Sequence, residues 1–196
     1  MRVMANIISS VLHPFMVPVV LLLFFSTASP LWNVMPMSSK VLLWVDTLVS
    51  FVIFPVALIL CLKKFGILSD YDMKNHKERI IPLILTSLSI FIGSLFLRLS
   101  AYASAYRGMY ISMILLLLVF AMISIFWKIS MHSMAWGVLC AYLLPFGLFS
   151  RTFFMIAILC WGMVSSSRLL LGRHDIWQVM SGFLLGFVFS LLFIFL

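Results

Sequence analysis

The sequence predicts an all-α integral membrane protein: a polytopic bundle with six core transmembrane helices and one additional N-terminal helix. Three observations lead there. The 196 residues are 65% hydrophobic and only 9% charged, with a mean hydropathy of +1.24, outside the range of soluble globular domains. Apolar runs recur at about the ~20 residues needed to cross a hydrocarbon core. None of them alternates apolar and polar residues as a barrel strand would. A chain of this length fits one compact bundle, so residues 1–196 read as a single transmembrane domain.

Seven apolar runs can be marked, roughly 7–26, 41–62, 81–99, 109–127, 131–149, 152–171 and 177–196. The first follows Arg2 as a signal peptide might, but His13-Pro14 interrupts it, so it reads as a first membrane helix. Pro14 and Pro18 predict that it is kinked or partly re-entrant. The second run contains Asp46, about five residues from its start, where a carboxylate still reaches the interface. Residues 109–149 form one long stretch interrupted by Lys128, Ser130 and His132, with no Gly or Pro at that break, and a tight turn is expected there. Gly182 and Gly186 in the last run suit a close helix contact within the chain. Cys61, Cys140 and Cys160 all fall in apolar runs, as small packing residues without disulfide or metal spacing. No internal repeat is visible.

The formal charge of +8 belongs to loops that anchor at headgroups, and no soluble basic patch exists to bind nucleic acid. If all seven runs cross, the connections 63–80, about 128–131 and 172–176 fall on one face. They carry Asp70, Asp72, Lys74, Lys77, Glu78, Arg79, His132 and His174, with Arg168 at the edge. Hydropathy alone placed these loops, and the polar groups then gathered on one side. That side, with the N-terminus, holds nine Lys and Arg against four on the other. This favours a cytoplasmic site face in a bacterial inner membrane.

The most informative string is Ser167-Arg168-Leu-Leu-Leu-Gly-Arg-His174, between two membrane-length runs. An arginine fork suits two phosphate oxygens, and an imidazole beside it can act as nucleophile or proton donor. Together with Ile129-Ser130-Met131-His132 and Lys74-Asn-His-Lys-Glu-Arg79-Ile-Ile-Pro82, it resembles the type 2 phosphatidic acid phosphatase superfamily, membrane lipid phosphatases related to vanadium haloperoxidases. That family carries Lys-x6-Arg-Pro, Pro-Ser-Gly-His and Ser-Arg-x5-His-x3-Asp. The third motif matches best, with Gln178 in place of the aspartate. The second keeps serine and histidine but loses proline and glycine. The first keeps its residue types in order with altered spacing. The phosphatase-like core covers about 70–196.

The resemblance implies that His174 attacks phosphorus to form a phosphohistidine and that His132 protonates the leaving group. It implies that Lys74, Arg79 and Arg168 hold the phosphoryl oxygens, with Ser130 adding a donor. These cations would do what a metal does elsewhere, so no metal and no cofactor is expected. The substrate would be a lipid phosphate: a phosphatidate, a phosphatidylglycerol phosphate, or a polyprenyl phosphate or diphosphate. Gln178, four residues beyond His174 on a helix, would share its face and accept its N–H without bringing charge. Asp175, one residue on from His174, is expected to point elsewhere. His76 or Lys77 can replace Lys74, and His13 is expected to pack beside Pro14 without a role. Two other classes stay open. One is a non-catalytic lipid-phosphate binder or transporter on the same scaffold. The other is a prenyltransferase that uses Asp70-x-Asp72 to hold Mg²⁺, although with five acidic residues in all a second such cluster is missing.

Overall fold

The computed structural model describes residues 1–196 apart from Asp72, Lys74 and Leu196, and apart from the side chains of 147–150. The described residues are helical with short connections. In chain order the helices are α1 (Arg2–Val11), α2 (Met16–Ala28), α3 (Pro30–Val34), α4 (Met37–Leu48), α5 (Phe54–Lys64), α6 (Ile80–Phe96), α7 (Ala101–Ser104), α8 (Arg107–Phe126), α9 (Met131–Leu143), α10 (Gly147–Leu170) and α11 (Ile176–Phe195). A π-helical turn, Val49–Ile53, joins α4 to α5, and a 3-10 turn, His76–Arg79, leads into α6.

The seven apolar runs become five helices long and apolar enough to cross a membrane, or up to six if one bent pair is counted as a span. The five are Met37–Lys64, His76–Leu99, Arg107–Phe126, Arg151–Leu170 and Ile176–Phe195. The bent pair is α1 with α2, broken at Leu12–Phe15 and bent by 53° where His13-Pro14 was expected to interrupt the run. The expected count of six core spans plus one is therefore altered at two runs. The run 131–149 holds only a shorter apolar helix, ending in a 3-10 turn at Leu144–Phe146, and α10 already begins at Gly147. The break around Lys128 is present. Trp127 is extended, and Ser130 caps α9 by accepting the backbone N–H of Ser133.

The single domain expected from length divides into two compact units, residues 1–21 with 128–196, and residues 22–127. In the first, α9 is the centre: every residue from Ser133 to Leu143 is buried. It lies backbone to backbone on α11 because glycines face it. A Cβ on Gly182 would stand 2.5 Å from the Ser130 carbonyl oxygen, and one on Gly186 would run into the Met134 carbonyl. Gly137 of α9 answers against Phe183 of α11. Gly182-x3-Gly186 is thus an internal helix contact, as its spacing predicts. The Trp161 indole N–H from α10 donates to Ser133 Oγ at 2.6 Å, and its ring lies 4.2 Å from that of Phe183. Trp136 of α9 donates to the carbonyl of Leu12 at the α1–α2 break, and α1 packs along α10.

In the second unit α6 packs on α8 and on the π-helical turn. Polar side chains tie these helices together. Thr47 Oγ1 and Tyr110 Oη are 2.9 Å apart, Ser39 and Ser100 hydroxyls 2.7 Å, and Arg107 Nε donates to the Ser94 carbonyl at 3.0 Å. The loop before α6 is ordered by its own charges. Glu78 accepts from the backbone N–H and hydroxyl of Ser69, and Asn75 accepts from the N–H of Lys77.

Candidate active site

The turn that carries the Ser-Arg-x5-His string is set by Gly172. It sits at φ +64°, where a side chain is disfavoured. The N–H of Gly172 bonds to the Leu169 carbonyl, and that of Arg173 reaches back to the Arg168 carbonyl, both at 3.0 Å. This pair of bonds is a Schellman motif, which closes α10 and reverses the chain. Asp175 then caps α11, accepting the backbone N–H of Gln178 on Oδ1 at 2.9 Å. The five-residue spacing between Arg168 and His174 is therefore one helix end, one left-handed glycine and one approach to the next cap.

His174 is buried, and its Nδ1 lies 2.9 Å from Gln178 Oε1. Gln178 Nε2 donates to Asp175 Oδ2 at 2.8 Å. An ionised carboxylate only accepts, so the amide must turn its NH₂ toward Asp175 and its oxygen toward His174. His174 must in turn carry its proton on Nδ1 and donate it. Nε2 is left with its lone pair, the nucleophilic form. The expectation that Gln178 contacts His174 matches this geometry. The expectation that Asp175 points elsewhere does not: its carboxylate fixes the amide that fixes the imidazole. The reason is the cap, which turns an exposed carboxylate back over the first turn of α11.

Ser130 joins the same region, since its N–H donates to the Gln178 carbonyl at 2.9 Å. His132, one residue into α9, donates from Nε2 to the Ser9 carbonyl at 3.3 Å. Arg168 is buried, and its Nη1 donates to Ser9 Oγ at 3.0 Å. Ser9 thus receives both the histidine and the arginine. His13, one helical turn further on, brings its ring centroid to 5.2 Å from that of His132 in an edge-on contact. Arg168, His13 and His174 all lie within electrostatic reach of His132. Ser167 is buried but back-bonded to the Met163 carbonyl within α10.

The remaining expected phosphate ligands belong to the second unit or fall outside the described residues. Arg79 belongs to the second unit, where it is buried and its Nε donates to the Met73 carbonyl at 3.2 Å. Lys74 falls outside the described residues, as does Asp72 of the Asp70-x-Asp72 pair. His76 Nδ1 pairs with the Ser124 carbonyl at 2.6 Å inside the second unit. Ser9 and His13 were missed from the sequence. Their only signal was a serine and a histidine four residues apart in an otherwise apolar run, and His13 also has a structural use in accepting the Phe15 N–H.

An open cavity of about 600 Å³ runs between α1 and α10, lined by Met4, Ile8, Leu159, Met163, Ser166 and Ser167 among others. Its walls are mostly apolar, with Ser166 and Ser167, just before Arg168, among them. Compared with known proteins, the chain matches no family model, no curated protein and no solved structure.

Proposed function

We propose that the protein is an integral membrane phosphatase that removes phosphate from a lipid phosphomonoester or diphosphate. The observation that carries this reading is the grouping of Arg168, His132 and a tautomer-fixed His174 at one end of three helices of the same unit. Five long apolar helices support membrane integration.

His174 Nε2 attacks phosphorus, the P–O bond to the lipid breaks, and a phosphohistidine forms. Arg168 stabilises the charge on the phosphoryl oxygens, where a planar fork suits two acceptors. Its bond to Ser9 aims that fork. His132 gives a proton to the leaving oxygen. Its Nε2–H is engaged with Ser9, so that contact opens when substrate binds and frees this proton for the leaving oxygen. Water then attacks the phosphohistidine and releases inorganic phosphate and free His174. The mostly apolar cavity beside α10, with Ser166 and Ser167 in its wall, suits the tail of an amphiphile whose anionic head meets Arg168.

A lipid-phosphate binder or transporter on the same scaffold is the second reading. It is favoured by the neutral amide of Gln178, which cannot stabilise an imidazolium as a carboxylate would. The test is phosphate release by purified protein in EDTA from phosphatidate, phosphatidylglycerol phosphate, and polyprenyl phosphate and diphosphate. Release from at least one of them, abolished by His174→Ala, is expected. Binding without release, unaffected by His174→Ala, would favour the transporter.

A further inference from the structure

The second unit holds a buried carboxylate that the phosphatase reading does not use. Asp46 lies nine residues into the helix that starts at Met37, about 14 Å along its axis at 1.5 Å per residue. Lys40, six residues before it, marks the polar end of the span, so Asp46 lies about 9 Å inside the apolar run, within reach of the interfacial position expected from the sequence. The side chain is 8% exposed. Ser50 Oγ donates to Oδ1 at 3.5 Å, while Oδ2 is buried and has no hydrogen-bond partner among the described residues.

Three features shape the surroundings of this carboxyl. The π-helical turn Val49–Ile53 begins three residues on, and such turns recur at functional sites. Across from it, α6 presents Gly93, where a Cβ would stand 2.7 Å from Oδ1 and 2.9 Å from Oδ2, so the carboxyl packs directly on backbone and only a glycine admits it. The Tyr110 hydroxyl, bonded to Thr47 Oγ1, also reaches the carboxyl.

Asp46 makes no ion pair among the described residues. The α6 helix contains no Asp, Glu, Lys, Arg, His or Tyr. On α8 the titratable groups on this side are Tyr110 and Arg107, whose Nε donates to the Ser94 carbonyl next to Gly93, and Tyr102 on α7 is exposed. On its own span, Lys40 sits over the Trp32 ring and Lys63 on the Ser69 carbonyl, while Arg98 follows Gly93 by five residues. A buried carboxylate without an ion pair is costly unless something positive meets it. We propose that Asp46, with Ser50 and Tyr110, is a binding site for a small monovalent cation, a proton or Na⁺. The site is independent of the phosphatase chemistry.

The experiment uses the whole protein purified in detergent, with dicyclohexylcarbodiimide, an apolar reagent that adds to protonated carboxyls in apolar surroundings. The adduct on Asp46 is measured by peptide mass spectrometry from pH 6 to 9, in NaCl or in choline chloride. A proton site gives labelling that falls with rising pH and is equal in the two salts. A Na⁺ site gives labelling cut at least twofold by NaCl at fixed pH. Either supports the proposal. No adduct on Asp46 at any pH, or labelling indifferent to both pH and salt, overturns it. Asp46→Asn is nearly isosteric and provides a second readout. Thermal unfolding of the parent should depend on pH or Na⁺ in a way that the variant loses. A variant that keeps the parent's dependence also overturns the proposal.

Discussion

At the residue scale, the histidine proposed as the nucleophile is oriented by a relay of two groups where one carboxylate would serve. Asp175 holds the Gln178 amide, and the amide holds His174. Asp175→Asn should therefore be harmful although it never touches substrate. An asparagine can donate as well as accept, so the amide loses its fixed orientation. Loss of an oriented hydrogen bond of about 1–3 kcal/mol corresponds to roughly ten- to a hundredfold in turnover. Gln178→Leu should cost as much or more. Gln178→Asp should raise turnover, because a carboxylate accepts the Nδ1–H directly and stabilises the positive ring. The reverse exchange of carboxylate for amide in a serine protease costs roughly 10⁴. The decisive comparison is the double variant, in which Gln178→Asp should erase the defect of Asp175→Asn. If the defects add instead, the relay does not exist. Steady-state phosphate release from one lipid substrate measures all four proteins.

Ser9 offers a second comparison at this scale. It accepts from His132 through its carbonyl and from Arg168 through its hydroxyl. Ser9→Ala removes only the second contact. The expected outcome is a raised KM, by up to about tenfold, with a smaller change in kcat, since the guanidinium keeps its charge but loses its aim. Arg168→Lys should be far worse in both constants, because a point charge does not replace a fork. Ser9→Ala with kinetics indistinguishable from the parent would mean that this hydroxyl does not position the arginine.

Among the elements, the fit of α9 to α11 determines whether His132 and His174 stay near each other. It depends on Gly182 and Gly186, whose missing side chains admit the Ser130 and Met134 carbonyls. Gly186→Ala drives a Cβ into backbone that cannot yield. Overpacking of about 1–3 kcal/mol is expected. It should appear as a lowered Tm in detergent together with reduced phosphate release, since Ser130 and His132 ride on the displaced helix. An unchanged Tm would show that the two helices are not so close. Much of this element-level picture was legible in the sequence. The Gly-x3-Gly spacing, the break at Lys128 and the prolines of the first run all carried local physical signals. What was not legible has a common cause. The short length of α9 and the early start of α10 leave little mark in hydropathy, because the residues around their join are mostly apolar, and only Pro145 and Gly147 signal it. The π-helical turn at Val49–Ile53 likewise has only Pro55 to announce it.

For the whole molecule, the sequence placed the chemistry by counting crossings, and the structure reaches part of it by another route. His132, Arg168 and His174 share one unit, but the N-terminal segment supplies Ser9 and His13 to it, which counting loops does not reveal. Arg79 is buried in the second unit, tied to its own loop. The account's central claim is that His174 becomes phosphorylated during turnover. It is tested most directly by quenching the purified protein during reaction with a radiolabelled lipid phosphate and locating the label by peptide mapping. Acid-labile, alkali-stable label is expected on the peptide containing His174, absent after His174→Ala and more abundant when hydrolysis is slowed by cold. Phosphate release that proceeds without label on that peptide, and survives His174→Ala, would contradict it.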